Sequence, residues 1–200
     1  MSATLTAPPR VRTQSRRLLT AADVAGLPRT LATGDVKYEL DDGELVVMAP
    51  PGDMHGYQQG MVLHALIGEG MFRLRLGEAR GETGVVLRRT PDRVVAPDAV
   101  FILNRSLPAN RSREGYLETI PELVVEVESK NDSGPELQAK TDEYFAAGVR
   151  MVWRLDPDRT TVTVHRPGQP DQVFGPADTL AVDDLLPGFA VPVARLFPAN

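Results

Sequence analysis

The chain contains no cysteine among its 200 residues, so neither a disulfide framework nor a thiolate metal site can be built from it. Histidine is scarce as well. There are three, His55, His64 and His165, and no two stand at i, i+4 spacing, which argues against a histidine-rich zinc centre. Any metal would therefore be held by oxygen, and oxygen ligands suit Mg²⁺ or Mn²⁺. No apolar run approaches the roughly 18 residues needed to cross a bilayer, so no membrane partner is expected. Residues 1–17 lack the hydrophobic core of a secretory signal; a cytoplasmic location is the expectation. Positive charge is not in excess either. The balance of 22 basic and 27 acidic side chains leaves −5, which excludes a protein that coats nucleic acid non-specifically. An enzyme that meets a phosphodiester locally is still allowed, because the basic residues are unevenly placed.

What the chain does have is an ordinary globular composition, 42% hydrophobic and 24% charged, with enough length for one core. Residues 1–17 read as a disordered basic tail, carrying Arg10, Arg12, Arg16 and Arg17 without an acid. Residues 18–200 read as one domain. Thr20 with Asp23 makes an N-cap and N3 acid for a short helix that ends near Gly26. Residues 36–40 and 44–48 form an N-terminal β-hairpin around Asp41-Asp42-Gly43. Helical spacing from Asp53 continues to about Glu69, where Gly68 and Gly70 are expected to close the helix. Strands follow at 84–89, 94–103 and 122–129. Ser133, Pro135, Glu136 and Gly148 then frame a helix over 135–147. A strand at 149–155 returns, turning through 156–159 into another at 160–165. The order implies an α/β fold, a central mixed β-sheet flanked by helices on both faces, with a right-handed crossover through the helix at 135–147.

Acids interrupt two of these apolar runs. Val94-Val95-Ala96-Pro97-Asp98 carries Asp98, and Val125-Glu126-Val127-Glu128 carries two. An unpaired buried carboxylate costs several kcal/mol, of order 2–7 for a buried polar group without a partner. A divalent cation shared by Asp98 and Glu126, with Lys140 beside it, removes that cost. Parity puts Val124, Glu126 and Glu128 on one face of their strand and Leu123, Val125 and Val127 on the other. In a continuous strand 94–103, Ala96, Asp98, Val100 and Ile102 would share a face. Plainer readings exist for each residue. Glu126 and Glu128 would also suit the solvated face of an edge strand. Pro-Asp recurs at 91, 97, 157 and 170, and only the copy at 97 lies inside an apolar run. Glu136 and Lys140 would also serve as a surface i, i+4 pair.

With those residues set out, the chain resembles the PD-(D/E)XK nuclease superfamily, the restriction-endonuclease-like fold, and more narrowly the Uma-two family of endonuclease-like proteins. The resemblance spans residues 18–197. It rests on Tyr38 to Glu44, Met48 to Pro51 with His55 just after, Ala96-Pro97-Asp98, and Pro121 to Ser129. It continues through Lys140, Tyr144, Ala147-Gly148-Val149, Trp153 and Asp156-Pro157. It implies a metal-dependent DNA endonuclease that leaves 5′-phosphates, with Asp98 and Glu126 as Mg²⁺ or Mn²⁺ ligands and Lys140 catalytic. Glu128 stands where the superfamily's lysine usually does and is a further catalytic candidate, while Lys130 competes with Lys140 for the lysine role. Glu39 and His55 are candidate lining residues. Cutting both strands of a duplex favours a homodimer. Two other functions are compatible with the sequence: a nuclease-like binding or assembly module without turnover, and a hydrolase of small phosphate esters.

Overall fold

The computed structural model describes residues 17–32, 34–48, 52–110, 115–129 and 132–198. The tail read into 1–17, apart from Arg17, lies outside the described residues, as do Arg111, Arg113 and Lys130. The described elements run as α1 (Ala21–Ala25), β1 (Thr30–Leu31), β2 (Gly34–Asp35), β3 (Lys37–Asp41), β4 (Glu44–Met48), α2 (Asp53–Ala65), β5 (Gly77–Gly81), β6 (Val85–Arg88) and β7 (Arg93–Val95). They continue as β8 (Ala99–Leu103), β9 (Leu123–Val127), α3 (Gly134–Ala147), β10 (Met151–Asp156), β11 (Thr161–His165), β12 (Gln172–Phe174), β13 (Thr179–Ala181) and β14 (Ala190–Pro192).

The fold is α/β with a mixed sheet, as the sequence implies. Its main sheet has six strands in the order β12-β11-β10-β9-β8-β5, and β9 pairs with β10 in parallel while the other neighbours are antiparallel. The helix between β9 and β10 is α3, a β-α-β unit. Ser133 and Glu136 cap its start reciprocally, and Gly148 ends it at φ 104°, a conformation glycine adopts at little cost. Thr20 and Asp23 form the same capping box at α1. A second sheet, β4-β3-β7-β6, carries the N-terminal hairpin. Its turn places Asp42 and Gly43 at φ 50° and 81°, the left-handed pair of a two-residue I′ connection.

Side-chain parity sorts the main sheet into two cores. Phe101, Leu123, Val125, Trp153 and Leu155 pack with Val62 and Leu66 from the α2 side. Val100, Ile102, Val124 and Val152 pack with Tyr144 of α3 on the opposite face. Helices therefore cover both faces, and Asp98, just before β8, meets Glu126, near the end of its antiparallel neighbour β9, at one end of these two strands.

Two sequence expectations fail for identifiable reasons, and one strand lies outside those read from the sequence. Residues 94–103 are not one strand. β7 and β8 belong to different sheets, because Pro97 has no N–H for a ladder and Ala96 N–H donates to Glu39 Oε1 at 2.9 Å instead. Asp98 consequently sits in the bend and not on the face shared by Val100 and Ile102. Gly68 and Gly70 do not close α2, which runs on as a π-helical segment, Leu66–Arg73. Gly70 serves close packing, since a Cβ there would lie 2.8 Å from the Phe101 ring. β5 is a strand although Gly77-Glu78-Ala79-Arg80-Gly81 has no β-branched or aromatic residue. Its place beside β8 needs glycine, because a Cβ on Gly77 would lie 2.0 Å from Ile102 O.

Candidate active site

The bend at Pro97 turns the Asp98 carboxylate across the end of β9. Asp98 Oδ2 accepts the Val127 N–H at 2.8 Å, and Oδ1 lies 2.9 Å from His55 Nε2. One turn further along α2, Gln59 Nε2 donates to the Asp98 carbonyl at 3.1 Å. His55 and Gln59 share a helix face by i, i+4 spacing, so α2 grips Asp98 at two atoms. Asp98 is 5% exposed. Its hydrogen bond to His55 raises the imidazole pKa, against the opposing effect of burial.

Glu126 is the fourth residue of β9, on the face that meets α3. Lys140 Nζ lies 2.9 Å from its Oε1, and the Tyr144 hydroxyl donates to the same oxygen. Lys140 and Tyr144 are i, i+4 on α3, so one helical face supplies a cation and a hydroxyl to one carboxylate. Burial raises the Glu126 pKa, Lys140 opposes that rise, and the Asp98 charge adds to it. Burial pulls Lys140 down, but Glu126, Glu39 and Asp98 outweigh it and its pKa is raised. Tyr144 is pushed well up by burial and then by Glu126. The i, i+4 surface pair of Lys140 with Glu136 does not form: Glu136 turns back to Ser133.

Glu39 is 7% exposed and approaches Arg93 at 3.6 Å. Arg93 binds Glu143 through two nitrogens at 2.6 and 2.9 Å and the Leu40 carbonyl at 2.9 Å. That one guanidinium ties β3, β7 and α3 together behind the site. Glu128 leaves β9 toward β10, where Arg154 holds it at 2.8 and 2.9 Å.

Asp98, Glu126, Glu128, Lys140, Glu39 and His55 all line one cleft of roughly 1140 Å³. Lys37 and Met48 form part of its wall on the hairpin side, with Asp132, Asp158 and Arg159 on the β10 side. Sequence reasoning missed Gln58 and Gln59. Gln58 is 1% exposed, lines the cleft and leaves its Oε1 without a hydrogen-bond partner among the described residues. The available signal was two adjacent amides within the helix, one of them four residues after His55 and so on its face. Arg93 and Glu143, 50 residues apart, had no local signal.

Among the described residues, no three His, Asp or Glu side chains form a metal-binding group. The donor set nonetheless suits a hard cation. Mg²⁺ is commonly held by one or two carboxylates, completing its shell with water and substrate phosphate. Asp98 and Glu126 supply two carboxylates on one cleft; burial chiefly raises the Glu126 pKa, and the Asp98 charge adds to the rise.

A family model described as "Uma2: Putative restriction endonuclease" matches residues 24–194. Among solved structures, a protein of Anabaena variabilis ATCC 29413 described as "a putative nuclease belonging to DUF820" superposes with a TM-score of 0.70 at 20% identity, covering 90% of this chain and 97% of that one. At that identity the likeness establishes the fold. No curated protein matches.

Proposed function

The chain belongs to the Uma2 family, whose model covers residues 24–194, and we propose that it hydrolyses phosphodiester bonds of DNA as a divalent-metal-dependent endonuclease. The observation that carries this reading is the convergence of Asp98, Glu126 and Lys140 in one cleft from three separate elements. Asp98 and Glu126 are the residues that would hold Mg²⁺ or Mn²⁺. When bound, such an ion supplies Lewis-acid charge and a water of lowered pKa.

The chain's own groups do the rest. His55 and the Val127 N–H fix the Asp98 carboxylate from opposite sides, making His55 a positioning residue. Tyr144 fixes Glu126 in the same way. Lys140 is an ammonium held against Glu126, and it can turn one of its three donors to a phosphoryl oxygen as negative charge develops there. Its role in this reading is charge stabilisation, for which its place beside Glu126 at 2.9 Å suits it. Glu128 is spoken for by Arg154 and acts as a wall of the cleft. At roughly 1140 Å³ the cleft sits at the top of the roughly 300–1,000 Å³ range of small-molecule sites, so it has room for a segment of polymer.

A second reading, a nuclease-like module that binds without turnover, draws on the Glu128–Arg154 pair at the position where lysine is usual. The discriminating experiment incubates supercoiled and linear DNA with the protein and Mg²⁺ or Mn²⁺, beside a Glu126→Ala variant. Cleavage by the wild type alone is expected. Equal cleavage by both removes Glu126 from the chemistry, and binding without cleavage by either selects the second reading. Among the described residues no helix is long and apolar enough to cross a membrane, and a cytoplasmic site of action is part of the proposal.

A further inference from the structure

β4 is an edge strand with no protection. Among the described residues it pairs on one side only, with β3. Its sequence, Glu44-Leu45-Val46-Val47-Met48, has no proline, no lysine and no register shift, the devices that usually blunt an edge. A strand on a half-buried sheet buries alternate residues, yet Leu45, Val46 and Val47 are 39, 38 and 50% exposed in succession. Apolar surface is therefore open on both faces of the edge.

The hydrogen-bonding direction follows from the hairpin. In a two-residue connection the closing pair, here Asp41 and Glu44, bonds to itself, and antiparallel bonding alternates from there. Glu44, Val46 and Met48 thus bond toward β3, while Leu45 and Val47 aim their N–H and C=O groups outward. An outward set of two residues flanking a central one is self-complementary under two-fold symmetry.

We propose that β4 pairs antiparallel with β4 of a second copy of this chain, about an axis through Val46. Leu45 then bonds with Val47 of the partner subunit, and Val46 faces Val46 of the partner subunit as a non-hydrogen-bonded pair. The one charge on the strand fits this register, because the two Glu44 residues fall at opposite ends, roughly 14 Å apart at ~3.4 Å per residue. The faces also fit. Val46 pairs with Glu39 and Met48 with Lys37, and Glu39, Lys37 and Met48 line the cleft. Val46 therefore shares the cleft-side face of the hairpin. An axis normal to the sheet keeps that face in common, so both clefts open on the same side of one eight-stranded sheet. A nucleic-acid duplex presents two strands related by such an axis. On the other face, Leu45 and Val47 extend the cluster that includes Leu40 and Tyr38 across the axis. The pairing itself is independent of nuclease activity; the duplex geometry rests on the function proposed above.

The absence of cysteine makes the test clean. A non-hydrogen-bonded pair has Cα atoms about 4.5 Å apart, inside the range a disulfide bridges. Val46→Cys, oxidised mildly, is expected to form a covalent dimer much faster than Val173→Cys, which is 61% exposed on the far edge strand β12. Light scattering of the wild type at micromolar concentration is expected to give twice the chain mass of 21.8 kDa. Val46→Lys is expected to give the monomer mass with an unchanged circular-dichroism spectrum. A wild-type monomer, equal cross-linking at positions 46 and 173, or a dimer that survives Val46→Lys each overturns the proposal. A dimer of this kind in a protein that does not cut DNA would retain the interface and remove only the nuclease reading.

Discussion

Replacing Tyr144 by phenylalanine isolates one oxygen atom of the site. Tyr144 is 1% exposed, and its hydroxyl donates to Glu126 Oε1, the oxygen that Lys140 also holds. Phenylalanine keeps the ring in the core with Val124 and Val152, so no cavity of consequence forms. What is lost is a hydrogen bond to a charged acceptor, about 1.5–3 kcal/mol. For a chain of this size each kcal/mol moves the Tm by roughly 2–4 °C, so a fall of roughly 3–12 °C is expected. The assay is thermal or urea unfolding of wild type, Tyr144→Phe and Tyr144→Ala in the presence of a chelator. The alanine variant should lose roughly 3–5 kcal/mol, because it also empties the ring's volume. A Tyr144→Phe protein as stable as the wild type would refute the argument, since it would mean that Glu126 does not depend on the hydroxyl that the geometry gives it.

Asp92 accepts from Ala21 N–H and Arg89 at 2.8 Å each and from Thr90 N–H at 3.3 Å, and the backbone bond from Ala21 chiefly holds its pKa below the ordinary 3.8. A depressed carboxylate contributes stability above its unfolded pKa and loses it as pH falls through the folded value; Asp92→Asn should therefore be less stable than wild type at neutral pH, with the gap closing below pH 3.8 in denaturant titrations. Gly70→Ala should destabilise by about 1–3 kcal/mol through overpacking against Phe101, although alanine is the better helix former; a gain in Tm would contradict the close-packing role. His55→Ala should weaken Mn²⁺ affinity by ~10–100-fold, the usual loss when a residue orienting a ligand is removed, read by calorimetry. Glu128→Gln should leave that affinity unchanged, because its carboxylate faces Arg154.

The local grammar of the chain was readable. Capping boxes at Thr20 and Ser133, the Asp42-Gly43 turn and the Gly148 stop all rest on short-range geometry, and each stands where the residues imply. The parity of β9 was equally legible, because period-two alternation assigns Val124 and Glu126 to one face without knowledge of the partner. What was not legible depends on distant contacts. β5 is a strand because β8 lies beside it, and the helix runs through Gly70 because the Phe101 ring fills the space that glycine leaves. The break at Ala96-Pro97 was visible as a proline but not as a change of sheet, since that needs the Glu39 side chain from a hairpin 57 residues away. For the site, acids in apolar runs flagged Asp98 and Glu126, and the family resemblance brought in Lys140. Gln59, which holds the Asp98 carbonyl, left only the faint trace of its spacing from His55, and Arg93 and Glu143, which brace Glu39 and Leu40 behind the site, left none, because their partners lie on other elements.

If Lys140 serves the same reaction as Asp98 and Glu126, Lys140→Met separates catalysis from metal binding when nicking of supercoiled DNA and Mn²⁺ affinity are measured on the same preparation. Removing the ammonium leaves Glu126 without the cation beside it, so nicking should be lost with Mn²⁺ affinity retained or increased. Nicking at the wild-type rate would contradict it.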